Sequence, residues 1–539
     1  MKADILRFAL VCTLLAGCND GGAYSGPPYP PAPGSDAGVR SGPPGADAGA
    51  PFPGDVPDAG GDTFDDVGTN PFVMASHDPF STFGADVDTA SYDIFVRDAL
   101  EGSLPSPLSV RLEEYVNAFD YDYPTPEPDA EIPFSIDLVA AQHPLRSDIA
   151  QLRIGIQASR PPEFEQLPTN LVFLVDTSGS MDEIDKLPLA QLVIRETVGA
   201  LNGTDTISIV TYGPNTRVVL GPTRASDAAL IDRAVGELAA SGGTDGGAGI
   251  QMAYAQATAG WIEGGFNHVV LMTDGDFNIG ITDTEALVTL IEEERATGIT
   301  LTALGFGTGN LNDAMMERVS NSGNGVYSVI TSADHARRYA QEDILRTAHF
   351  VAQDMKIQVE FNPDHVLAYR LLGYENRAID DMLFRDDTVD AGEVGAGLRV
   401  TALYEVVLRG QSIPEVEGAP AATAGDPVEG ERAIEAHELV EVRVRWKDRG
   451  ATESDPAQET LASLTPDDVF TELFTDSDAD FLWASALAGF AELVKGSPYA
   501  DIAQLDRIHA IVSAQRDRDT DRAQFVELFE AVRSQLETP

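Results

Sequence analysis

A chain of 539 residues is too long for one hydrophobic core and corresponds to roughly three to four units of about 150 residues. Its 87 acidic against 35 basic residues leave a formal charge of −52, which argues against nucleic-acid binding and favours solubility and attraction of cations. Two cysteines cannot build a disulfide framework, and the eight histidines form no His-Glu-x-x-His pattern for zinc.

The chain opens with an address. Lys2 and Arg7 flank and interrupt an apolar segment, Ile5 to Leu15, too short for a stable membrane span and patterned like the apolar centre of a secretory signal. It ends in Leu15-Ala16-Gly17-Cys18, which resembles the bacterial lipobox; the resemblance implies a signal over residues 1–18, cleaved before Cys18, and a lipid on that cysteine. Cys12 leaves with the signal, so no disulfide is expected. Asn19 in place of Asp points to the outer rather than the inner membrane of a bacterial envelope. Residues 19–70 are mostly Gly, Pro, Ala, Ser and Asp, without enough large apolar side chains for a core. They read as a disordered tether with an end-to-end distance of roughly 40 Å.

Residues 71–130 begin the folded region, and Ser91–Leu100 and Val110–Phe119 carry helical spacing. Asp86 and Asp88 invite comparison with aspartyl phosphotransferases, whose threonine lies one residue farther on and whose motif follows a hydrophobic strand, but here Thr89 follows Asp88 directly and precedes a helical pattern. Thr89 or Ser91 reads instead as a helix cap, with the carboxylates near the helix N-terminus. Within 131–166, Pro133–Ala140 and Ile149–Ala158 alternate as strands with one solvated face.

The most informative stretch follows. Leu171–Val175 is an unbroken apolar run suited to a buried parallel strand, and it ends in Asp176-Thr177-Ser178-Gly179-Ser180. Asp176, Ser178 and Ser180 occupy alternate positions of the turn, so one carboxylate and two hydroxyls can converge above the strand end. Two later segments add oxygen ligands at the same end of a sheet. Thr244 lies in a Gly-rich turn before the helical pattern Ala248–Trp261, and Asp274 follows the strand His268–Met272. These are hard donors with few charges, which suits Mg²⁺, or another divalent cation such as Mn²⁺ or Ca²⁺. Helices over Leu187–Leu201, Asp227–Ala239, Thr284–Thr297 and Asn312–Ser320 alternate with strands over Asp205–Tyr212, Arg217–Leu220, Thr300–Phe306 and Val326–Ile330, the pattern of a doubly wound α/β sheet. In order and context, Asp176, Ser178, Ser180, Thr244 and Asp274 resemble the metal-ion-dependent adhesion site of von Willebrand factor A (VWA) domains. That resemblance implies a Rossmann-like fold over residues 167–350 and a metal that accepts a partner's carboxylate.

Beyond Ala333 a long helix is expected to about Val351, then strands at Met355–Phe361, Val366–Leu372, Arg399–Leu408 and Leu439–Trp446, with a loop over Gln411–Arg432. Without crossover helices these strands cannot be parallel. They predict an antiparallel β-sandwich built from 131–166 and 351–450, with the VWA domain inserted in it. Residues 451–539 close the chain with helices over Ala479–Lys495, Ile502–Ser513 and Arg522–Leu536, expected as a cap. The acidic runs 476–480 and 517–521 begin like calcium loops, but Phe481 or Arg522 stands where such loops need Gly, so both read as helix caps. The strings Ser81–Tyr92, Arg111–Asn117, Phe119–Pro124 and Asp390–Gly397 resemble bacterial YfbK-like VWA lipoproteins.

Together these features predict an envelope protein, held to the membrane through a lipid on Cys18, whose metal binds an acidic residue of a protein partner. No nucleophile elbow or phosphate loop is present, so no enzyme is expected. A structural scaffold with an internally filled site is the alternative; a metal hydrolase would need a base beside the metal, for which only Asp245 or Asp276 stands ready. Asp276 and Asn278 otherwise fit the rim of the site.

Overall fold

The computed structural model describes residues 56–57 and 61–537, except 86–87, 128–129, 161–166, 243–248, 276–283, 345–349, 388–390, 393, 424–433, 449–450, 452–454 and 471–477. The signal segment, Cys18 and most of the expected tether lie outside these residues.

Apolar runs with no polar alternation must be covered on both faces, and the central sheet shows the consequence. Its six strands lie in the order Tyr327–Ile330, Ile299–Phe306, Phe266–Thr273, Thr169–Asp176, Thr206–Tyr212 and Arg217–Arg224. The first five are parallel, and the last turns back antiparallel on its neighbour. Every residue of Thr169–Asp176 is buried. Leu171, Phe173 and Val175 enter one core with the helix Leu187–Ala200, while Val172 and Leu174 enter another with Gly249–Ala259. This is the period-2 alternation of a strand with helices on both faces.

On either side of this domain the alternating strands meet. One antiparallel sheet runs Val73–Met74, Val366–Leu372, Arg399–Leu408, Ala150–Ala158 and Phe134–Gln142, with Ile156 opposite Val400. The facing sheet contains Phe350–Phe361, Val440–Asp448 and Gln458–Leu464, and Phe80–Gly84 also pairs with Phe350–Phe361. Both sheets share one core that includes Ile154, Ile156, Ile357, Val442 and Trp446. The doubly wound domain is thus inserted in a β-sandwich, as expected from the strands that flank it.

Several expectations need correction. The helix after Ala333 ends at Arg338 and passes into a π-turn over Tyr339–Asp343, and Phe350 already belongs to a strand. That strand carries a register shift between Gln353 and Lys356, with Asp354 at φ 52°, which breaks the alternation by which its first half would have been recognised. Gln458–Leu464 joins the sandwich rather than the helical region. Residues 61–70, expected within the tether, are partly packed. Phe64 is buried beside Ala90, Ile94 and Leu311, and Asp62 accepts hydrogen bonds from the Gly309 and Leu311 amides.

The terminal helices form one body. Helices Ala90–Leu100 and Leu112–Asn117 share a core with Ala479–Lys495, Leu505–Ser513 and Thr520–Leu536, where Phe95, Phe119, Trp483, Phe490 and Phe525 meet ring to ring. Asp478 and Asp519 cap their helices by accepting from the Phe481 and Arg522 amides. Thr89 holds the cap position of its helix, but its hydroxyl donates to Asp93 instead of capping. Asp88 is no helix-end carboxylate in function; it accepts from the Tyr327 amide and the Arg377 guanidinium, tying the N-terminal segment to the doubly wound sheet and the sandwich.

Candidate metal centre

The register Val175 opposite Met272 brings the ends of two neighbouring parallel strands level, so Asp176 and the pair Thr273-Asp274 emerge at the same edge. This is the carboxyl end of a doubly wound sheet, where such folds form their ligand crevices. Asp176 is fully buried. One carboxylate oxygen accepts from the Ser178 amide at 2.7 Å and the other from the Thr273 hydroxyl at 3.2 Å. Burial pushes its carboxyl up to about pH 6; hydrogen bonds from Ser178 and Tyr212 oppose the shift, while the neighbouring Asp274 adds to it. The turn places the Ser178 and Ser180 hydroxyls 2.9 Å apart.

A second segment crosses this turn. The Gly179 amide donates to the Gly242 carbonyl at 3.0 Å, and the Ser241 amide to the Thr177 carbonyl at 3.0 Å. The chain therefore enters the Gly-rich turn of Thr244 directly beside the two serines. Thr244 and Asp245 themselves, like Asp276 and Asn278, lie outside the described residues.

Asp274 is also fully buried. Its Oδ2 accepts from the Lys186 ammonium at 3.2 Å, whereas its Oδ1 is buried with no hydrogen-bond partner among the described residues. Gly275 has φ 99°, and a Cβ there would fall 2.4 Å from the Leu311 Cα, so only glycine lets the loop after Phe306 close over this strand end. Four of the five expected ligands, Asp176, Ser178, Ser180 and Asp274, are thus gathered at one edge. Lys186 was not foreseen; the signal available was a lone cation in the acidic run Asp182-Glu183-Ile184-Asp185 at a helix start.

These residues fit a hard divalent cation. A buried carboxylate oxygen without a partner is costly, and oxygen donors with two nearby acids match the preferences of Mg²⁺ and similar ions. Among the described residues no group of three or more His, Cys, Asp or Glu is placed to hold a metal.

The sheet order and this turn define a protein built on a VWA domain, and the von Willebrand factor type A domain family matches residues 170–342. A von Willebrand factor family matches residues 58–153, and the family of the YfbK C-terminal region matches 346–535. The uncharacterized protein YfbK of Escherichia coli K12 is 36% identical over 480 residues, covering 87% of this chain and 80% of the relative. The chain belongs to the YfbK family of VWA-domain proteins. The uncharacterized protein sll0103 of Synechocystis is 26% identical over 220 residues, 40% of this chain and 51% of its own. Among solved structures, a von Willebrand factor type A protein from Catenulispora acidiphila aligns at TM-score 0.40 and 17% identity, covering 77% of this chain and 89% of that one. Proximal thread matrix protein 1 of the mussel byssus, with a zinc-occupied adhesion-site motif, aligns at TM-score 0.28 and 17% identity over 34% of this chain and 48% of its own. VWA domains generally mediate protein–protein interactions, are typically not enzymes, and commonly bind a divalent cation through this motif.

Proposed function

We propose that this protein binds a divalent cation, Mg²⁺ ahead of Mn²⁺ or Ca²⁺, at Asp176, Ser178, Ser180, Thr244 and Asp274, and through it an acidic residue of a protein partner. The observation that carries this reading is the buried Oδ1 of Asp274, without a hydrogen-bond partner among the described residues, at the same sheet edge as the Asp176 carboxylate and the two hydroxyls. A bound ion would supply a coordination position for the partner's carboxylate. The chain's own residues do the rest. Asp176 and Asp274 contribute the only formal negative charge among the five ligands, so the ion keeps net positive character toward an acidic partner. Ser178 and Ser180 add neutral oxygens, and the Ser178 amide and Thr273 hydroxyl hold the Asp176 carboxylate in place. The lipobox-like sequence ending in Cys18 supports a setting on the bacterial envelope, with a lipid anchor at the outer membrane. Calorimetry of Mg²⁺ on the mature protein, followed by a pull-down with and without EDTA, tests the reading. Absence of Mg²⁺ binding, or EDTA-insensitive binding of a partner, would overturn it.

A further inference from the structure

Lys186 is placed where a metal centre built on two carboxylates would meet its only close cation among the described residues. It starts the helix Leu187–Ala200, its side chain is 3% exposed, and its ammonium lies 3.2 Å from Asp274 Oδ2 and 3.5 Å from the Asn310 side-chain oxygen. The stem cannot swing aside freely. It runs so close to Gly307 that a Cβ on that residue would fall 2.4 Å from the lysine Cε. The Gly307 carbonyl is in turn held by Arg97 at 3.2 Å, and Arg97 pairs with Asp62 at 2.9 Å, so the N-terminal segment fixes the wall behind the lysine. The two Asp274 oxygens are thereby divided, one given to the ammonium and the other without a partner among the described residues.

We propose that Lys186 is a built-in counter-ion that positions Asp274 and sets the strength of cation binding at this centre. The inference rests on the metal-binding reading above. Two buried carboxylates with no cation repel each other and strain the metal-free fold; the lysine neutralises one of them, so the site stands assembled without the ion. The same charge repels an incoming divalent cation. Lys186 thus trades affinity for a stable metal-free state and makes loading reversible, which distinguishes a centre that exchanges its ion from one in which the ion is a permanent structural part.

The two consequences have opposite signs, and a merely structural lysine would not produce them together. Lys186→Met keeps the stem and removes the charge; Lys186→Arg keeps the charge. In the mature protein, with Mg²⁺ alone as the probe, Lys186→Met should bind at least about tenfold tighter, since a unit charge repels a nearby divalent ion by that much even at water-like screening. In EDTA the same variant should melt below wild type, and saturating Mg²⁺ should raise its Tm by more than it raises that of wild type. Lys186→Arg should stay within about threefold of wild-type affinity. Lys186→Gln, which retains a donor toward Asp274, should show the same tightening and serves if the methionine variant fails to fold. Weaker or unchanged Mg²⁺ binding in the neutral variants, with wild type binding normally, would overturn the counter-ion role and leave the metal reading intact. No Mg²⁺ binding by wild type would overturn both.

Discussion

Replacing Asp176 by Asn separates the cost of the buried carboxylate from the worth of the strand that carries it. The amide can still accept from the Ser178 backbone N–H and can turn its own N–H toward Thr273, so both existing contacts have a counterpart. What disappears is the charge. With its carboxyl pushed up by burial from the ordinary 3.8 to about 6, Asp176 holds a proton in the folded state that it has already released in the unfolded one. Between these values the folded state binds more protons, so stability falls as pH rises from about 4 through about 6 and then levels off. The accumulated cost above that window is about 3 kcal/mol. Asp176→Asn carries no such loss. In EDTA its melting temperature should match wild type near pH 4 and exceed it above pH 7, by roughly 5–10 °C if the VWA domain unfolds as one unit. Mg²⁺ at pH 7.5 should reduce or reverse the gap by stabilising wild type alone, and wild-type Mg²⁺ affinity should fall as pH drops below about 6, where the proton competes for the carboxylate. Differential scanning calorimetry across pH 4–8, with and without Mg²⁺, measures all of this. Parallel curves for the two proteins in EDTA, or a variant less stable than wild type at pH 8, would refute the claim that the buried Asp176 charge costs stability that a cation restores.

Asp176→Ala should weaken Mg²⁺ more than Ser178→Ala, because the first removes one of two charged ligands and the second a neutral one; titration calorimetry gives the order, and partner binding should follow it. Cys18→Ser should release the protein from the membrane fraction or leave the signal uncleaved, and unchanged partitioning into detergent would remove the lipid anchor from the account. Phe525→Ala should cost about 3–5 kcal/mol and expose both terminal helical segments to protease together, since this ring contacts Tyr92, Phe95 and Phe119 on one side and Trp483 and Phe490 on the other. Cleavage confined to residues 479–536 would show that the two sets of helices are held independently.

Local chemistry made much of the centre legible in the chain. An apolar run that must be buried on both faces can only be an inner strand, and alternate oxygen side chains in the turn that ends it converge whatever lies around them; Asp176, Ser178 and Ser180 needed nothing more. The same holds for Asp478 and Asp519, whose carboxylates reach backbone amides three residues on. Strand patterns on both sides of the VWA segment also sufficed for its insertion, because antiparallel strands with an apolar face have to find a facing sheet, although Ala150–Ala158 is buried along its whole length rather than solvated on one face. Partners far apart in sequence were another matter. A helix's apolar stripe states that it will be buried but not against what, so the common core of residues 90–119 with 479–536 was settled only by packing. Of the strand Phe350–Phe361 only the part from Met355 was legible, because the bulge before it breaks the period by which strands are recognised. Lys186 and Asp274 stand 88 residues apart, and nothing in either neighbourhood marks them as a pair. Their contact exists because the loop at Gly307, held from the N-terminal side by Arg97, closes the wall that confines the lysine, and only the assembled chain brings those four segments together.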